Sequence, residues 1–513
     1  MQLSAGYSSL EKLIFQGSIQ QRNFRGRGQT VGISLAYSNY SKQVDLSFTE
    51  PYVFDKNISL GVNLYRRDLN SFNYFGNQRN TVYKQSTTGI QLRAGVPLTE
   101  YVSAIGSYTF NYDDISVDRS QYFTNRQAPT NTLQCDPLIA GRYLCDALGK
   151  RTSSILGLSL VYDSLDNRVR PSRGRVLSVS ADFAGLGGSV KYARLRANAA
   201  QYYPVGKGFI FSLRAEGGII KALSNRGGLG VDDVRLTDRF YLGEPQLRGF
   251  DIRGIGPRVI RQNYLDTNGD GRLNGATPLC FRADDPATTT VNESFASLRP
   301  SASATCALAF PTIAGISTRD PDTLDPDRRN WFDDAIGGKF YYLARAEMEI
   351  PLGSGARELG LRPSVFIDAG AVWGVKRPTD QSTAVPVFIA ERDSTGAALF
   401  TQINVATLVT PTGGGTPVCT PGIAAGDVTI VSDSTNPTPP PCLSTNANAA
   451  RGFDFPPFSE RFLGNSPKPR ISIGIGVNWN SPFGPFRIDF ARTLLKVEGD
   501  DTKSFTFNVG TQF

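Results

Sequence analysis

Apolar and polar residues alternate with a period of two along most of the chain. In 471–479 the residues Ile471, Ile473, Ile475, Val477 and Trp479 share one face, and Ser, Gly and Asn residues occupy the other. The same pattern recurs at 153–162, 343–350 and 486–491. A period of two is the repeat of a β-strand with one apolar face. The pattern therefore predicts an all-β chain, although a soluble sandwich would also alternate.

Sixteen antiparallel strands account for the alternating segments. We predict them at 2–8, 12–21, 29–39, 43–50, 56–68, 84–96, 101–115, 152–163, 175–184, 189–203, 208–220, 338–351, 359–374, 469–480, 485–496 and 503–513.

The lengths of the connections favour a transmembrane barrel over a sandwich. Every connection after an even-numbered strand is short, and the three long ones, 116–151, 221–337 and 375–468, all follow odd-numbered strands. Short turns on one rim and long extracellular loops on the other are typical of outer-membrane barrels. The sequence thus predicts one transmembrane antiparallel β-barrel of sixteen strands over residues 1–513.

Composition fits this fold and excludes several enzyme classes. No run of eighteen apolar residues is present, so a transmembrane helix is not predicted. Histidine is absent, which removes Ser-His and Cys-His nucleophile pairs, and no phosphate-binding GxxxxGK[ST] loop occurs. The net charge of +8 is dispersed, and we expect it to line the lumen and the headgroup zone and not to bind nucleic acid. We therefore expect a protein that is not an enzyme.

The six cysteines fall in pairs within the three long loops. Cys135 and Cys145 lie in the first, Cys280 and Cys306 in the second, and Cys419 and Cys442 in the third. Six cysteines allow fifteen pairings, and pairing within each loop is the most economical. Three local disulfides would place the chain in an oxidising compartment.

One loop segment matches the start of a calcium-binding loop. Asp266, Asn268 and Asp270 follow the D-x-N-x-D-G pattern, whose oxygen atoms suit a hard cation. The twelfth position is Thr277, where such loops carry a bidentate Glu. A polar turn explains the segment equally well, so calcium is only a candidate ligand, and no other cofactor is expected.

Motifs spread over nearly the whole chain resemble the barrel of the BamA family of outer-membrane protein assembly factors. The last strand, SFTFNVGTQF, ends on aromatic Phe513 and is similar to the C-terminal signal of bacterial outer-membrane proteins. The motifs similar to the family's are QQRNFRGRGQTVG, EPYVFDKNISLG, DSLDNRVRPSRG, LRGF, VFIDAGAVW and WNSPFGPFRIDFA. LRGF, at Leu247, Arg248, Gly249 and Phe250, is the most specific, with Leu at its first position.

The resemblance implies a loop that folds back into the lumen. It pairs Arg248 of that loop with Asp368 of the VFIDAG strand, and Glu349 is a second expected partner. The alternation agrees, because Asp368 shares a face with Phe366 and Gly370, and a carboxylate facing lipid would be costly.

The resemblance also implies a function in the outer membrane of a Gram-negative bacterium. We expect a barrel that inserts nascent outer-membrane β-barrel proteins through a lateral seam between its first and last strands, weakened by Gly6 and Gly510. Expected partners are those client proteins, the lipid bilayer and lipopolysaccharide. Family members carry periplasmic POTRA domains, where accessory lipoproteins dock. Strand sequence follows Met1 directly, without POTRA domains or an export signal, so we expect an excised domain.

Three alternatives remain open from the sequence. A TamA-like assembly factor and a two-partner secretion pore belong to the same superfamily. A passive diffusion porin is the third, and the LRGF motif and the very long loops argue against it.

Overall fold

The computed structural model describes most of the barrel and parts of its loops. The described residues are 2–8, 12–75, 78–124, 133–135, 140–168, 170–226, 231–265, 280–281, 323–327, 330–353, 360–378, 386–392, 398–404, 451–454, 458–481 and 484–509.

Sixteen antiparallel strands form the barrel, as the alternation predicted. They are β1 (Gln2–Ser8), β2 (Lys12–Phe24), β3 (Gln29–Ser38), β4 (Ser41–Glu50), β5 (Ser59–Phe75), β6 (Gln78–Pro97), β7 (Val102–Ser116), β8 (Gly149–Asp163), β9 (Gly174–Gly188), β10 (Tyr192–Gly206), β11 (Phe209–Ala222), β12 (Phe340–Glu349), β13 (Leu361–Trp373), β14 (Arg470–Ser481), β15 (Gly484–Leu495) and β16 (Phe505–Val509). Each strand pairs with the next along the chain, and β16 returns to β1.

The apolar face of each strand points away from the lumen. Along β8, Leu156, Leu158 and Leu160 are each about half exposed, whereas Gly157 between them is buried. Along β14, Ile473 and Ile475 face outward and Ser472 is fully buried. Surface that is apolar in one continuous belt is unfavourable in water and favourable in lipid. The barrel is therefore a transmembrane one.

The predicted parity of the connections is confirmed. The turns after even-numbered strands are short, the longest running from 350 to 360. The long connections, 117–148, 223–339 and 374–469, follow odd-numbered strands. The rim that carries the long loops is the extracellular one by this criterion.

The β5–β6 hairpin extends further than predicted. We expected a loop between 68 and 84, but pairing continues to Phe75 opposite Gln78. The added length is stabilised by a neighbouring loop strand, since Asp333 pairs with Tyr74. That partner is distant in sequence and could not be anticipated from the local pattern.

The described parts of the long loops pack on one another over the barrel mouth. The loop strand Arg258–Leu265 pairs with Phe332–Ala335 on one edge and with Phe458–Leu463 on the other, which joins the second and third long loops. Val259 of this strand belongs to one buried apolar cluster with Leu144 and Ile336. The other loop elements are strands Phe123–Thr124, Gln134–Cys135, Cys280–Phe281, Thr323–Leu324, Pro386–Arg392, Ala398–Asn404 and Arg451–Asp454, helices Arg119–Tyr122 and Arg142–Cys145, and 3₁₀ turns Val53–Asp55 and Leu236–Asp238.

One of the three expected disulfides lies within the described residues. Cys135 and Cys145 are bonded, with their Cα atoms 5.6 Å apart. The bond ties strand Gln134–Cys135 to helix Arg142–Cys145. The side chain of Cys280, and Cys306, Cys419 and Cys442, lie outside the described residues. No helix among the described residues is long and apolar enough to span a bilayer.

Candidate functional site in the lumen and at the seam

The inner wall formed by β12 to β15 carries a lattice of charged side chains. Because side chains alternate along a strand, the outward Val365 and Ile367 place Phe366 and Asp368 inward. The same alternation turns Arg345 and Glu347 of β12 inward, together with Arg487 and Asp489 of β15. Opposite charges thus lie close together on this wall, where each can compensate its neighbours.

Arg248 of the second long loop enters this lattice. Its Nε and one Nη atom donate to the two oxygens of Asp368 at 2.7 and 2.6 Å, and its backbone N–H donates to the same carboxylate at 3.2 Å. The Arg248 side chain is 3% exposed and that of Asp368 0%. Its guanidinium lies 3.4 Å from the centroid of the Phe366 ring. The structure therefore brings together the two residues that the LRGF and VFIDAG motifs linked.

The second carboxylate beside Arg248 is Glu347, and the expectation of Glu349 is wrong. Arg248 donates to Glu347 at 3.0 Å, whereas Glu349 pairs with Arg362 at 3.5 Å. Glu347 and Glu349 share a strand face, but Glu347 is opposite Phe366 and Glu349 is opposite Ser364, farther from Asp368. A strand pattern gives the face of a residue but not its height in the barrel.

Gly249 and Phe250 fix the backbone of the motif against the wall. Gly249 has φ +86°, and a Cβ there would lie 2.8 Å from Cβ of Ser472. Its carbonyl accepts from Thr493 Oγ1 at 2.8 Å, and the Arg248 carbonyl accepts from Ser472 Oγ at 2.5 Å. Phe250 and Leu247 are fully buried in an apolar cluster. Only glycine combines this backbone conformation with so close an approach.

Several residues of the lattice were not anticipated from the sequence. Arg487 donates to both oxygens of Asp489 at 2.8 and 3.0 Å and to Glu347 at 3.4 Å. Ser364 donates to Glu347 at 2.6 Å. The signal that could have found Arg487 and Asp489 is their alternation with Phe486, Ile488 and Phe490 on the outward face, which we used only to predict a strand.

The loop also contacts the opposite half of the barrel. Arg253 donates to Ser71 of β5 at 2.8 Å, and its guanidinium lies 4.7 Å from the Tyr241 ring centroid. Burial raises the pKa of the Tyr241 phenol, so this group stays protonated and donates to the Leu236 carbonyl at 3.0 Å. Arg151 of β8 binds Asp238 at 2.8 Å. The segment thus crosses the lumen and is held at both sides.

The seam between β1 and β16 is weakly paired. Within the described residues, β1 and β16 share two residue pairs, Tyr7 with Val509 and Ser8 with Asn508. The flanking pairs β1–β2 and β15–β16 share seven and five. Among the described residues, no other two neighbouring strands of the barrel share so few pairs, which agrees with the expected weakness of this seam.

Of the remaining predicted site residues, only some lie in the described part of the chain. Gly6 lies within β1, opposite Ile14 of β2. Gly510 and Phe513 of the last strand lie outside the described residues, as do Asp266, Asn268 and Asp270 of the candidate calcium loop.

Comparison with known proteins agrees with this architecture. A model of the Omp85 superfamily domain matches residues 23–410 and 431–513. The outer membrane protein assembly factor BamA of Neorickettsia risticii is 21% identical over 100% of this chain and 45% of its own length. The sorting and assembly machinery component 50 homolog of Mus musculus is 25% identical over 51% of this chain and 49% of its own.

A solved structure shares the fold. The crystal structure of BamA from Haemophilus ducreyi lacking POTRA domains 1-3 superposes with a TM-score of 0.58 at 19% identity, covering 100% of this chain and 69% of that one. The chain spans about half the length of the two curated relatives.

Proposed function

Because the chain belongs to the Omp85 superfamily, we propose that it is the membrane barrel of an insertase that folds β-barrel proteins into the outer membrane of a Gram-negative bacterium. The observation that carries the proposal is the seam, where two residue pairs join β1 to β16 in the part of the chain that the structure describes. A bacterial relative named as an outer membrane protein assembly factor and an animal relative named as a component of a sorting and assembly machinery support the same function.

An open strand edge explains how such a barrel acts without covalent chemistry. Unpaired backbone N–H and C=O groups are costly in lipid. When the seam opens, β1 presents a row of these groups, and the terminal strand of a client satisfies them by adding to the sheet. Within the described residues two residue pairs hold β1 to β16, so their replacement by hydrogen bonds to a client costs little. The proposed insertase is accordingly not an enzyme in the sense of bond-making chemistry.

The proposed partners follow from this mechanism. They are nascent outer-membrane β-barrel proteins, the bilayer with its lipopolysaccharide, and accessory lipoproteins that would act through POTRA domains of the whole protein. Nucleic acid is not among them. A TamA-like assembly factor would use the same seam, whereas a two-partner secretion pore would pass its substrate through the lumen.

Locking the seam tests the proposal. Ser8 and Asn508 are directly opposite, so Ser8→Cys with Asn508→Cys allows a disulfide across the seam. We expect oxidised protein in proteoliposomes to lose client insertion and reduction to restore it. The matched control is Ser159→Cys with Ser180→Cys, also directly opposite, between β8 and β9. The control crosslink should leave insertion unchanged.

Wild-type protein treated with the same oxidant and reductant accounts for the native disulfide. Equal insertion rates for the locked and reduced seam would rule out lateral opening. That result would favour the secretion pore, which needs no opening of the wall.

A further inference from the structure

The lumen motif is hydrogen-bonded to the segment that leads into β16. Asp251 N–H donates to the carbonyl of Asp501 at 3.0 Å, and Lys503 N–H donates to the carbonyl of Gly249 at 3.1 Å. Phe250 and Thr502 form an antiparallel bridge between these bonds. Asp501 N–H also donates to Gly254 at 2.8 Å. The backbone of the motif thus forms a short ladder with residues 501–503.

Salt bridges and hydrogen bonds of side chains also join the same two segments, and together we call them the clasp. Lys503 Nζ lies 2.7 Å from Glu244 and 3.8 Å from Asp251. The Glu244 side chain is 2% exposed and that of Lys503 28%. Arg258 donates to Asp501 at 2.8 Å and to the Gly499 carbonyl at 2.6 Å. Charge-assisted hydrogen bonds of this kind are stronger than neutral ones, more so when half-buried.

The position of this clasp in the chain gives it a consequence for the seam. β16 begins at Phe505, two residues after Lys503. Within the described residues, β16 is held by β15 along one edge and by two pairs to β1 along the other. The extracellular end of β16 is therefore anchored by β15 and by the lumen loop, three to four residues before the pairs that close the barrel.

We propose that Glu244 and Lys503 are positioning residues that couple the lumen loop to the seam, so that displacement of the loop loosens β16 from β1. Arg248 docks the loop on β13 of the inner wall, and the 249–254 ladder transmits that docking to the segment that leads into β16. Coupling between two sites is reciprocal. An opened seam must therefore also loosen the loop, and a closed seam must tighten it.

Hydrogen–deuterium exchange on the full chain in nanodiscs measures this coupling. Its role in insertion rests on the proposed function, but the measurement requires no client protein. Lys503→Gln removes the charge and keeps a polar, hydrogen-bonding side chain that is one atom shorter. We expect exchange in 2–8 and 505–509 to rise about tenfold, as for loss of one charge-assisted hydrogen bond. Lys503→Arg keeps the charge and should restore most of the protection.

Lys339 provides a matched control. It also lies just before a barrel strand, pairs with the buried Asp232 at 3.2 Å, and is 20% exposed. Lys339→Gln should leave exchange in 2–8 and 505–509 at the wild-type rate. A general loss of stability would instead raise exchange in β8 and β9 as well, and that outcome would overturn the proposal.

The reverse direction provides an independent test with the clasp intact. Oxidised Ser8→Cys/Asn508→Cys protein should exchange more slowly in 247–254 than its reduced form, while the β8–β9 crosslink should have no effect there. Unchanged exchange in 247–254 on seam locking, or unchanged seam exchange in Lys503→Gln, would show that loop and seam are independent. Either result would leave the insertase proposal standing, because that proposal is tested by client insertion.

Discussion

Removing one partner of the Arg248–Asp368 pair should release the lumen loop from the barrel wall. Arg248→Ala leaves a carboxylate that is 0% exposed with its nearest remaining cation, Arg345, at 3.9 Å. Breaking a buried pair in this way costs about 3–5 kcal/mol. We expect Arg248→Ala to fall at the upper end of that range, because the side chain's two hydrogen bonds to Asp368 and its hydrogen bond to Glu347 all disappear.

Asp368→Ala should cost less than Arg248→Ala. The guanidinium of Arg248 would still have Glu347 at 3.0 Å and Asp489 at 3.8 Å. The charge left behind is therefore partly compensated, and we expect a loss near the lower end of the range, about 3 kcal/mol. Arg248→Lys keeps the charge but loses the bidentate contact of the guanidinium with Asp368. Its loss of stability should therefore be smaller than that of either alanine variant.

Native-state amide exchange of residues 242–256 measures the free energy of loop opening in each variant. One tenfold increase in exchange corresponds to about 1.4 kcal/mol. The double variant should lose about 2 kcal/mol less stability than the sum of the two single losses. Strictly additive losses, or a larger loss for Asp368→Ala than for Arg248→Ala, would refute the assignment of Arg248 and Asp368 as a direct pair.

Three further predictions concern the loops and turns. Peptide mapping without reductant should recover Cys135–Cys145, and we predict Cys280–Cys306 and Cys419–Cys442 beside it; a dominant bond between different loops would contradict this. Calorimetry with millimolar calcium should give heat for the wild type and none for Asp270→Ala, and identical heats would dispose of the calcium site. The hydroxyl of Ser172 and the backbone N–H groups of Arg173 and Ser172 lower the pKa of Asp166 to about 2. The turn 164–173 should therefore be fully stabilised by these hydrogen bonds above about pH 4 and should lose that stabilisation as the pH falls through 2. A carboxyl titration by NMR with a midpoint near 4 would contradict the last prediction.

The barrel could be predicted from the sequence because each strand is defined by alternation among residues that are neighbours in the chain. Alternation at segments such as 471–479 fixes which residues face lipid, and the parity of loop lengths fixes the two rims, so the strand number and topology follow from the sequence. Strand ends were less predictable where a distant segment extends the sheet, as Asp333 does beside Tyr74.

The site was predictable only in part. Arg248 and Asp368 were linked through a family resemblance, and alternation independently placed Asp368 inward. The choice of Glu349 over Glu347 failed because two residues on one strand face differ only in height, which depends on the register with β13. Glu244 and Lys503 were missed altogether. They lie 259 residues apart, and their contact exists only because both loops fold into the same lumen.

The loop that crosses the barrel also bears on permeability. A closed barrel of sixteen strands is wide enough to leave an aqueous channel, which would leak solutes through a cell's outer barrier. In this barrel the segment from Arg239 to Arg258 is fixed to β13 through Arg248 and to β5 through Arg253. A wall that opens sideways, as proposed, would then be compatible with a lumen that this segment obstructs. Membrane patches containing the protein should accordingly conduct far less current than a porin of equal strand number, and weakening the Arg248 anchor should make them leak.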